Sequence, residues 1–266
     1  MRISTFFYEM KLTFSQEAQE HSFTLKCVPQ SDERQEITNR KIVLEPRTSY
    51  EEAKDTFGNS YLYGKIIQPH RQLQVTVSGQ AKTGLQPYVT GEEDRLALYR
   101  AMDAYTRPGH RIREMFSDCY VGDQNDLQTA IYMMHQLHRR FTYQPGVTGE
   151  PVTAEEALEL GAGSCQDYSH ILISFCRMAG IPARYVTGLL EGKSSAHAWV
   201  EVFYNGGWYG LDPVNDRVVT DLGIVISHGR NYADCILTRN EYLGEGQLSQ
   251  QEQVTIQNMT EKNGRD

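Results

Sequence analysis

Residues 161–178 read GAGSCQDYSHILISFCRM, and this segment contains the boundary between two predicted helices. Its glycines end one pattern of helical spacing, and a second pattern begins at Cys165. Apolar side chains such as Tyr168 and Leu172 share one face of this second helix, which is predicted to end at Gly180. The sequence therefore places a cysteine in the first turn of an amphipathic helix.

A cysteine at this position has the surroundings of a reactive thiol. The first backbone N–H groups of a helix have no partner within the helix, and together with the helix dipole they favour a negative charge nearby. Ser164 and Asp167 have the spacing of a helix cap, and the preceding glycines leave the approach to Cys165 open. The alternative is a buried cysteine that only packs as a small apolar side chain.

A nucleophile of this kind needs a base, and the sequence after the helix offers one. Asn205-Gly206 lies between two alternating segments and predicts a two-residue hairpin turn. In that register Asp212 lies opposite Trp199, so it is the diagonal neighbour of His197 on the same face of the sheet. Asp212 could then orient the imidazole and leave its other nitrogen for Cys165, although a structural histidine and a turn-forming Asp-Pro remain the alternatives.

The rest of the chain divides by its periodicity. Residues 1–90 alternate between apolar and polar side chains and predict an antiparallel β-sandwich-like region. Helical spacing follows Gly91, and strands return after the helix that begins at Cys165. We therefore predict an α+β protein with a β-rich region at 1–90, a core at 91–240 and a C-terminal segment at 241–266 that contains a strand returning to a sheet.

Composition and charge exclude several classes of protein. The 266 residues carry a net charge of -8, which argues against nucleic acid or an anionic membrane as a partner. The longest uninterrupted apolar run, residues 130–134, is far shorter than the roughly 20 residues of a membrane span. The first residues lack the pattern of a signal peptide, so the cytoplasm is the expected location.

Neither a metal nor a cofactor is expected. The five cysteines include no C-x-x-C pair, so a thiolate zinc site and a disulfide framework are both disfavoured. His135 and His138 have a spacing that could place two imidazoles on one helix face, but no third ligand accompanies them. These histidines are therefore predicted to be part of an ordinary helix surface.

Four segments carry a resemblance to a known family. They are GSCQDY at 163–168, GIPARYV at 180–186, HAWVEV at 197–202 and LDP at 211–213. In this order they resemble the core of the transglutaminase-like superfamily, specifically its bacterial cysteine-protease branch. The block GRNYAD at 229–234 resembles a further part of that branch, and residues 55–59 and 70–75 are similar to its β-rich N-terminal region.

The resemblance implies a papain-like, transglutaminase-like core with Cys165 as nucleophile, His197 as base and Asp212 as the residue that orients the base. It implies a thioester intermediate and a peptide or peptide-like amide substrate. The backbone N–H of Cys165 is expected to donate a hydrogen bond to the oxyanion of the tetrahedral intermediate. Tyr143 and Gln166 are candidates for a second donor. We expect an amide hydrolase, with acyl transfer to an amine or a non-catalytic scaffold of the same fold as alternatives.

Overall fold

The computed structural model describes residues 1–90, 95–122, 124–148 and 152–259. Gly91, where helical spacing is expected to begin, lies outside the described residues. The strands are β1 (Arg2–Leu25), β2 (Gln35–Glu45), β3 (Tyr50–Lys54), β4 (Ser60–Ile66), β5 (His70–Thr83), β6 (Val89–Thr90), β7 (Thr142–Tyr143), β8 (Ala162–Gly163), β9 (Ala183–Leu190), β10 (His197–Tyr204), β11 (Gly207–Asp212), β12 (Arg217–Val219), β13 (Gly223–Gly229), β14 (Thr238–Leu243) and β15 (Leu248–Asn258). The helices are α1 (Leu96–Arg100), α2 (His110–Cys119), α3 (Asp126–Arg140), α4 (Ala154–Leu160) and α5 (Cys165–Met178).

The N-terminal strands form a curled antiparallel sheet organised around β1. The first half of β1 pairs with β5 and β15, and its second half pairs with β4 and β14. The pairing with β5 shifts register between Thr13 and Ala18, where an irregularity of this kind bends a strand. One long strand thereby contributes to two layers. The β-sandwich-like region predicted from the alternating sequence is confirmed.

A second antiparallel sheet carries the core of the fold, in the strand order β12-β11-β10-β9-β13, with β6 added to β11. One face packs against the helices, with Ile171, Phe175 and Val200 among the buried contacts. On its other side, Leu189 and Ile224 pack against the curled N-terminal sheet. The core sheet therefore lies between the helices and the N-terminal strands, and the predicted α+β class is confirmed.

The sequence analysis does not anticipate α2. The helix begins without a capping side chain of its own, and the carboxylate of Glu155 on α4 accepts hydrogen bonds from the backbone N–H groups of Gly109, Arg111 and Ile112. A cap supplied by another helix is absent from the local sequence. The spacing of Ile112, Phe116 and their apolar neighbours was the available signal.

Candidate active site

Cys165 is held at the start of α5 by a network around Asp167. The buried carboxylate of Asp167 accepts hydrogen bonds from the backbone N–H of Ser164 at 2.6 Å and from the Ser164 hydroxyl at 2.9 Å. The hydroxyl of Thr148 donates a further bond to the same carboxylate at 2.9 Å. This arrangement fixes the turn that enters the helix, as the Ser164–Asp167 spacing predicts.

A short parallel pair of strands sets the approach to Cys165. Tyr143 in β7 pairs with Gly163 in β8, and the backbone N–H of Gln144 donates to the carbonyl of Gly163 at 2.8 Å. A Cβ atom at position 163 would lie 2.6 Å from an oxygen of Asp167, so the capping network requires glycine here. Packing therefore requires Gly163, which also leaves the approach to Cys165 open.

His197 and Asp212 come together on neighbouring strands. The predicted hairpin register is confirmed, because Tyr204 pairs with Gly207 and the pairing continues to Val200 and Leu211. The Nε2 atom of His197 lies 3.1 Å from Oδ1 of Asp212, and both side chains are buried. Because Asp212 uses Nε2, the ring nitrogen available to a third group is Nδ1.

Asp212 is itself held in place by the turn that follows it. Its Oδ1 atom accepts hydrogen bonds from the backbone N–H groups of Val214 at 3.1 Å and Asn215 at 3.2 Å. The side-chain amide of Asn215 donates to Oδ2 at 2.5 Å. Burial raises the pKa of Asp212, but the hydrogen bond and charge of His197 and the donors of Asn215 outweigh burial and lower the pKa. The carboxylate therefore stays ionised beside the imidazole.

The charged form of His197 is strongly favoured. Burial lowers the pKa of the imidazole, but the hydrogen bond to Asp212 and the contact with the Cys165 side chain outweigh burial and raise the pKa to about 9. His197 therefore interacts with the cysteine as well as with the aspartate. An imidazole in this position holds a proton at neutral pH and sits beside a sulfur atom.

Cys165 and His197 line one cleft of about 140 Å³. Cys165 is partly exposed, whereas the other four cysteines are buried. Gln166 lines the same cleft, and Tyr143 lies close enough for the charges of Cys165 and Asp212 to add to the burial that raises its pKa. The structure thus brings together the three side chains that the sequence predicts as a site and keeps both candidate oxyanion donors nearby.

The two histidines of α3 lie apart from this cleft and have separate partners. His135 contacts the carboxylate of Asp216, and Nδ1 of His138 lies 3.2 Å from the carbonyl of Pro213. Within residues 1–90, 95–122, 124–148 and 152–259, no three or more His, Cys, Asp or Glu side chains form a group that could hold a metal ion. The histidines are accounted for by these local contacts.

The C-terminal strands supply cleft residues that the sequence analysis does not identify. Thr238 at the start of β14 and Gln250 and Glu252 in β15 line the cleft together with Cys165 and His197. β15 reaches this position by pairing with β1 along the curled sheet. No local motif marks these residues, because their contribution depends on how the last strand returns to the first.

Two family models match the chain in the order of its two parts. Residues 6–82 match the bacterial transglutaminase-like N-terminal region, and residues 114–213 match the core of the transglutaminase-like superfamily. The second range contains Cys165, His197 and Asp212. The chain belongs to the transglutaminase-like superfamily.

Relatives of this superfamily member include proteins matched over most of its length and one matched only in part. An uncharacterized protein of Mycobacterium leprae is 28% identical, and the match covers 83% of this chain and 86% of the relative. A protein-glutamine gamma-glutamyltransferase of Pseudomonas aeruginosa is 33% identical over 39% of this chain and 18% of its own length. Of these two relatives, one is uncharacterized and the other is named as an enzyme.

A solved structure shares the fold of this transglutaminase-like chain over nearly its full length. The crystal structure of a protein from Cytophaga hutchinsonii, named "putative cysteine protease", superposes with a TM-score of 0.79 and 19% sequence identity. The match covers 98% of this chain and 92% of that protein. The predicted combination of a β-rich N-terminal region with a transglutaminase-like core is thereby confirmed as a fold.

None of the helices in the described part of the chain has the length and apolar composition needed to span a bilayer.

Proposed function

We propose that this protein is a thiol-dependent amide hydrolase that acts through a thioester. In this proposal Cys165 is the nucleophile, His197 is the general base and then the general acid, and Asp212 orients the imidazole. The observation that carries the proposal is that one imidazole interacts with both the Cys165 side chain and the Asp212 carboxylate. The substrate class is a peptide or a peptide-like amide.

The first half of the reaction forms the acyl-enzyme. In this proposal the proton of Cys165 already resides on His197, whose pKa is raised to about 9, and the sulfur of Cys165 forms a bond to the carbonyl carbon of the amide. The carbonyl π electrons move to oxygen and give a tetrahedral intermediate. The C–N bond then breaks as the imidazolium gives its proton to the leaving nitrogen, so an amine or ammonia departs and a thioester remains.

The second half releases the acid. A water molecule attacks the thioester carbon while His197 accepts a water proton. The second tetrahedral intermediate collapses with loss of the sulfur as an anion, and the proton taken from water stays on His197, which restores the starting pair. The sum is an amide plus water giving a carboxylic acid plus an amine, with the enzyme unchanged.

Both tetrahedral intermediates carry a negative oxygen that needs hydrogen-bond donors. The backbone N–H of Cys165 at the start of α5 is the first donor in this proposal, since each such donor is worth about 2.7–4 kcal/mol in known enzymes. Gln166 is supported as the second candidate by its place in the cleft wall. Tyr143 is supported by its electrostatic interaction with Cys165.

Acyl transfer to an amine is the second candidate function. It is supported by the partial match to a protein-glutamine gamma-glutamyltransferase. The same thioester would form, and an amine would replace water in the second half. We also propose a cytoplasmic location, because a thiol nucleophile has to stay reduced and that compartment keeps thiols reduced.

One incubation distinguishes the candidates. A glutaminyl peptide is mixed with the protein, with and without a fluorescent primary amine, and the products are separated by mass spectrometry. Conversion to the free acid in both samples supports hydrolysis, and a labelled adduct supports amine transfer. The absence of both products with a panel of peptides, in protein whose Cys165 still reacts with iodoacetamide, contradicts the enzymatic proposal and favours a scaffold.

A further inference from the structure

The inward face of β15 breaks its own apolar pattern at the cleft. In a strand every second residue faces the same side, and Val254 is buried in the core of the curled sheet. Leu248 and Ile256 lie on the same side of the strand and also pack against that core. Two further residues on this side, Gln250 and Glu252, are polar and line the cleft. An ionisable side chain is rarely found on the inward face of a strand unless it is paired or serves a function.

Neutral groups hold the carboxylate of Glu252. Its Oε2 atom accepts a hydrogen bond from the backbone N–H of Ala196 at 3.0 Å, and its Oε1 atom accepts one from the side-chain amide of Gln250 at 2.7 Å. The buried Tyr8 side chain lies close to this carboxylate. Burial raises the pKa of the Tyr8 hydroxyl, and the charge of Glu252 raises it further. In the described part of the chain, no arginine or lysine forms an ion pair with Glu252.

Glu252 also places a carboxylate in the cleft wall. Among the described residues that line the cleft it is the one carboxylate, and no lysine or arginine joins it. The remaining ionisable groups there include Cys165 and His197, which the proposed reaction uses as a pair. Among the described residues, the cleft wall therefore has a negative side chain with no lysine or arginine beside it.

Holding the neighbouring loop does not require this charge. The loop before His197 is already bonded to β15 through the backbone N–H of Val254, which donates to the carbonyl of Ser194 at 2.8 Å. A glutamine at position 252 could accept the bond from Ala196 through its amide oxygen. The negative charge thus exceeds what the structural contact needs.

We infer that Glu252 is the acidic side of a subsite that binds a primary ammonium group of the substrate. This inference rests on the proposed function for its meaning, because it places a cationic group in the cleft where Cys165 attacks an amide. The cleft volume is similar to cavities of about 150 Å³ that hold one benzene-sized molecule, so it fits a single side chain or chain terminus. The ammonium belongs either to an amino terminus or to a lysine-like amine.

Labelling of Cys165 tests the subsite without any turnover. Three methanethiosulfonate reagents that carry an ammonium, a sulfonate or no charge are compared, and each rate is divided by the rate with a small thiol in solution. We expect the ammonium reagent to be favoured over the neutral one by about tenfold, since hydrogen bonds to charged groups are worth about 1.5–3 kcal/mol. The sulfonate reagent should be disfavoured.

Two variants separate the subsite from general electrostatics. In Glu252→Gln, the ratio of the ammonium rate to the neutral rate should fall to near the ratio measured with the small thiol. The labelling rate with the neutral reagent should change little. Glu241→Gln removes the same charge from an exposed position outside the cleft and should leave the preference unchanged. If Glu252→Gln keeps the preference, or slows all three reagents equally, Glu252 is only a structural contact and the inference is wrong.

Turnover then identifies the source of the ammonium group. Glutaminyl peptides with a free or acetylated amino terminus test the first source, and pentylamine against the diamine cadaverine as acyl acceptors tests the second. The source is the amino terminus if Glu252→Gln removes a preference for free over acetylated peptides. It is a lysine-like amine if Glu252→Gln removes a preference for cadaverine over pentylamine. If no peptide reacts while the charge-selective labelling and its loss in Glu252→Gln persist, the proposed hydrolase function fails and the ammonium subsite stands.

Discussion

The Nε2 atom of His197 lies 3.1 Å from Oδ1 of Asp212, and the two side chains are almost completely removed from solvent. The pair joins the start of β10 to the end of β11. Because the carboxylate can only accept, the imidazole donates this bond from Nε2. The orientation leaves Nδ1 for the cysteine, and it makes the protonation of His197 depend on Asp212.

Replacing Asp212 should therefore move the pH profile as well as lower activity. Asp212→Asn removes the hydrogen-bonded charge that raises the pKa of His197 to about 9, so burial lowers that pKa. For the native protein we expect kcat/KM to fall as pH rises through about 9. In Asp212→Asn that fall should move to lower pH, and the maximum should drop by at least about 100-fold.

A nearby aspartate provides the control for this variant. Asp216 contacts His135 on α3, away from the cleft, and its left-handed backbone tolerates asparagine. Asp216→Asn should keep the native profile. An Asp212→Asn protein that loses activity without any shift of its alkaline limb would show that Asp212 does not control the proton of His197.

Limiting iodoacetamide should alkylate Cys165 before the other cysteines. Burial removes the other four from reagent, and it raises the pKa of Cys27, Cys176 and Cys235 to about 12. Mass spectrometry of the digested protein should find the first label on Cys165 at neutral pH. Equal labelling of all five thiols in folded protein would contradict the site.

The rate of that labelling should depend on the imidazole. His197→Ala removes the cation beside Cys165, and we expect the alkylation rate near neutral pH to fall by about tenfold. His138→Ala, which removes an exposed imidazole whose Nδ1 lies 3.2 Å from the carbonyl of Pro213, is the matched control. A similar loss of rate in both variants would mean that the effect is not specific to the cleft.

Glu201 should be essential for stability rather than for chemistry. Its fully buried carboxylate contacts Arg34 and Arg184, which join the N-terminal region to β9 and β10. Glu201→Gln removes the anion that the two largely buried arginines share and leaves Arg34 with its longer ion pair to Asp32 at 3.7 Å, so we expect a loss of about 3–5 kcal/mol in the free energy of unfolding, measured with urea. Glu52→Gln, at the partly exposed pair with Arg40, should cost less than about 1 kcal/mol.

The same carboxylate predicts how stability depends on pH. Burial raises the pKa of Glu201, but the charges of Arg34 and Arg184 outweigh burial and lower it from 4.5 to about 2. The contribution of this group is therefore present above about pH 4.5 and is lost as pH falls towards 2. In Glu201→Gln the acid side of the stability curve should be flatter than in the native protein.

Gly188→Ala should disturb the strand opposite the proposed base. Gly188 pairs with His197, and a Cβ atom there would lie 2.3 Å from the carbonyl oxygen of Ile224 and 2.4 Å from the Trp199 ring. We expect a loss of about 1–3 kcal/mol in the free energy of unfolding, with reduced alkylation of Cys165. Gly122→Ala meets only ordinary contacts and should have a small effect, so equal stability of both variants would contradict this packing.

Local sequence was sufficient for features that depend on neighbouring residues. The turn at Asn205 and Gly206 has positive φ at both positions, and it sets the register that brings His197 near Asp212. The capping box that opens α4 at Thr153 also follows from a short motif. Such features could be predicted because the residues that stabilise them lie within a few positions of one another.

The start of α2 shows where local reasoning fails. Its backbone N–H groups are capped by Glu155, which belongs to a helix that begins more than thirty positions later in the chain. The local segment contains no capping side chain to reveal this. A cap supplied from a distant helix can be recognised only after the two elements have packed.

The sequence by itself determined the strand-rich beginning, the helix that starts at Cys165 and the hairpin that joins His197 to Asp212. Each depends on periodicity, a cap or a turn, which are short-range consequences of backbone geometry. Only the tertiary structure decided that the helix start meets the hairpin in one cleft, and that Glu252 on the last strand enters its wall. Those contacts join residues far apart in the chain, and they depend on which apolar faces become buried against each other.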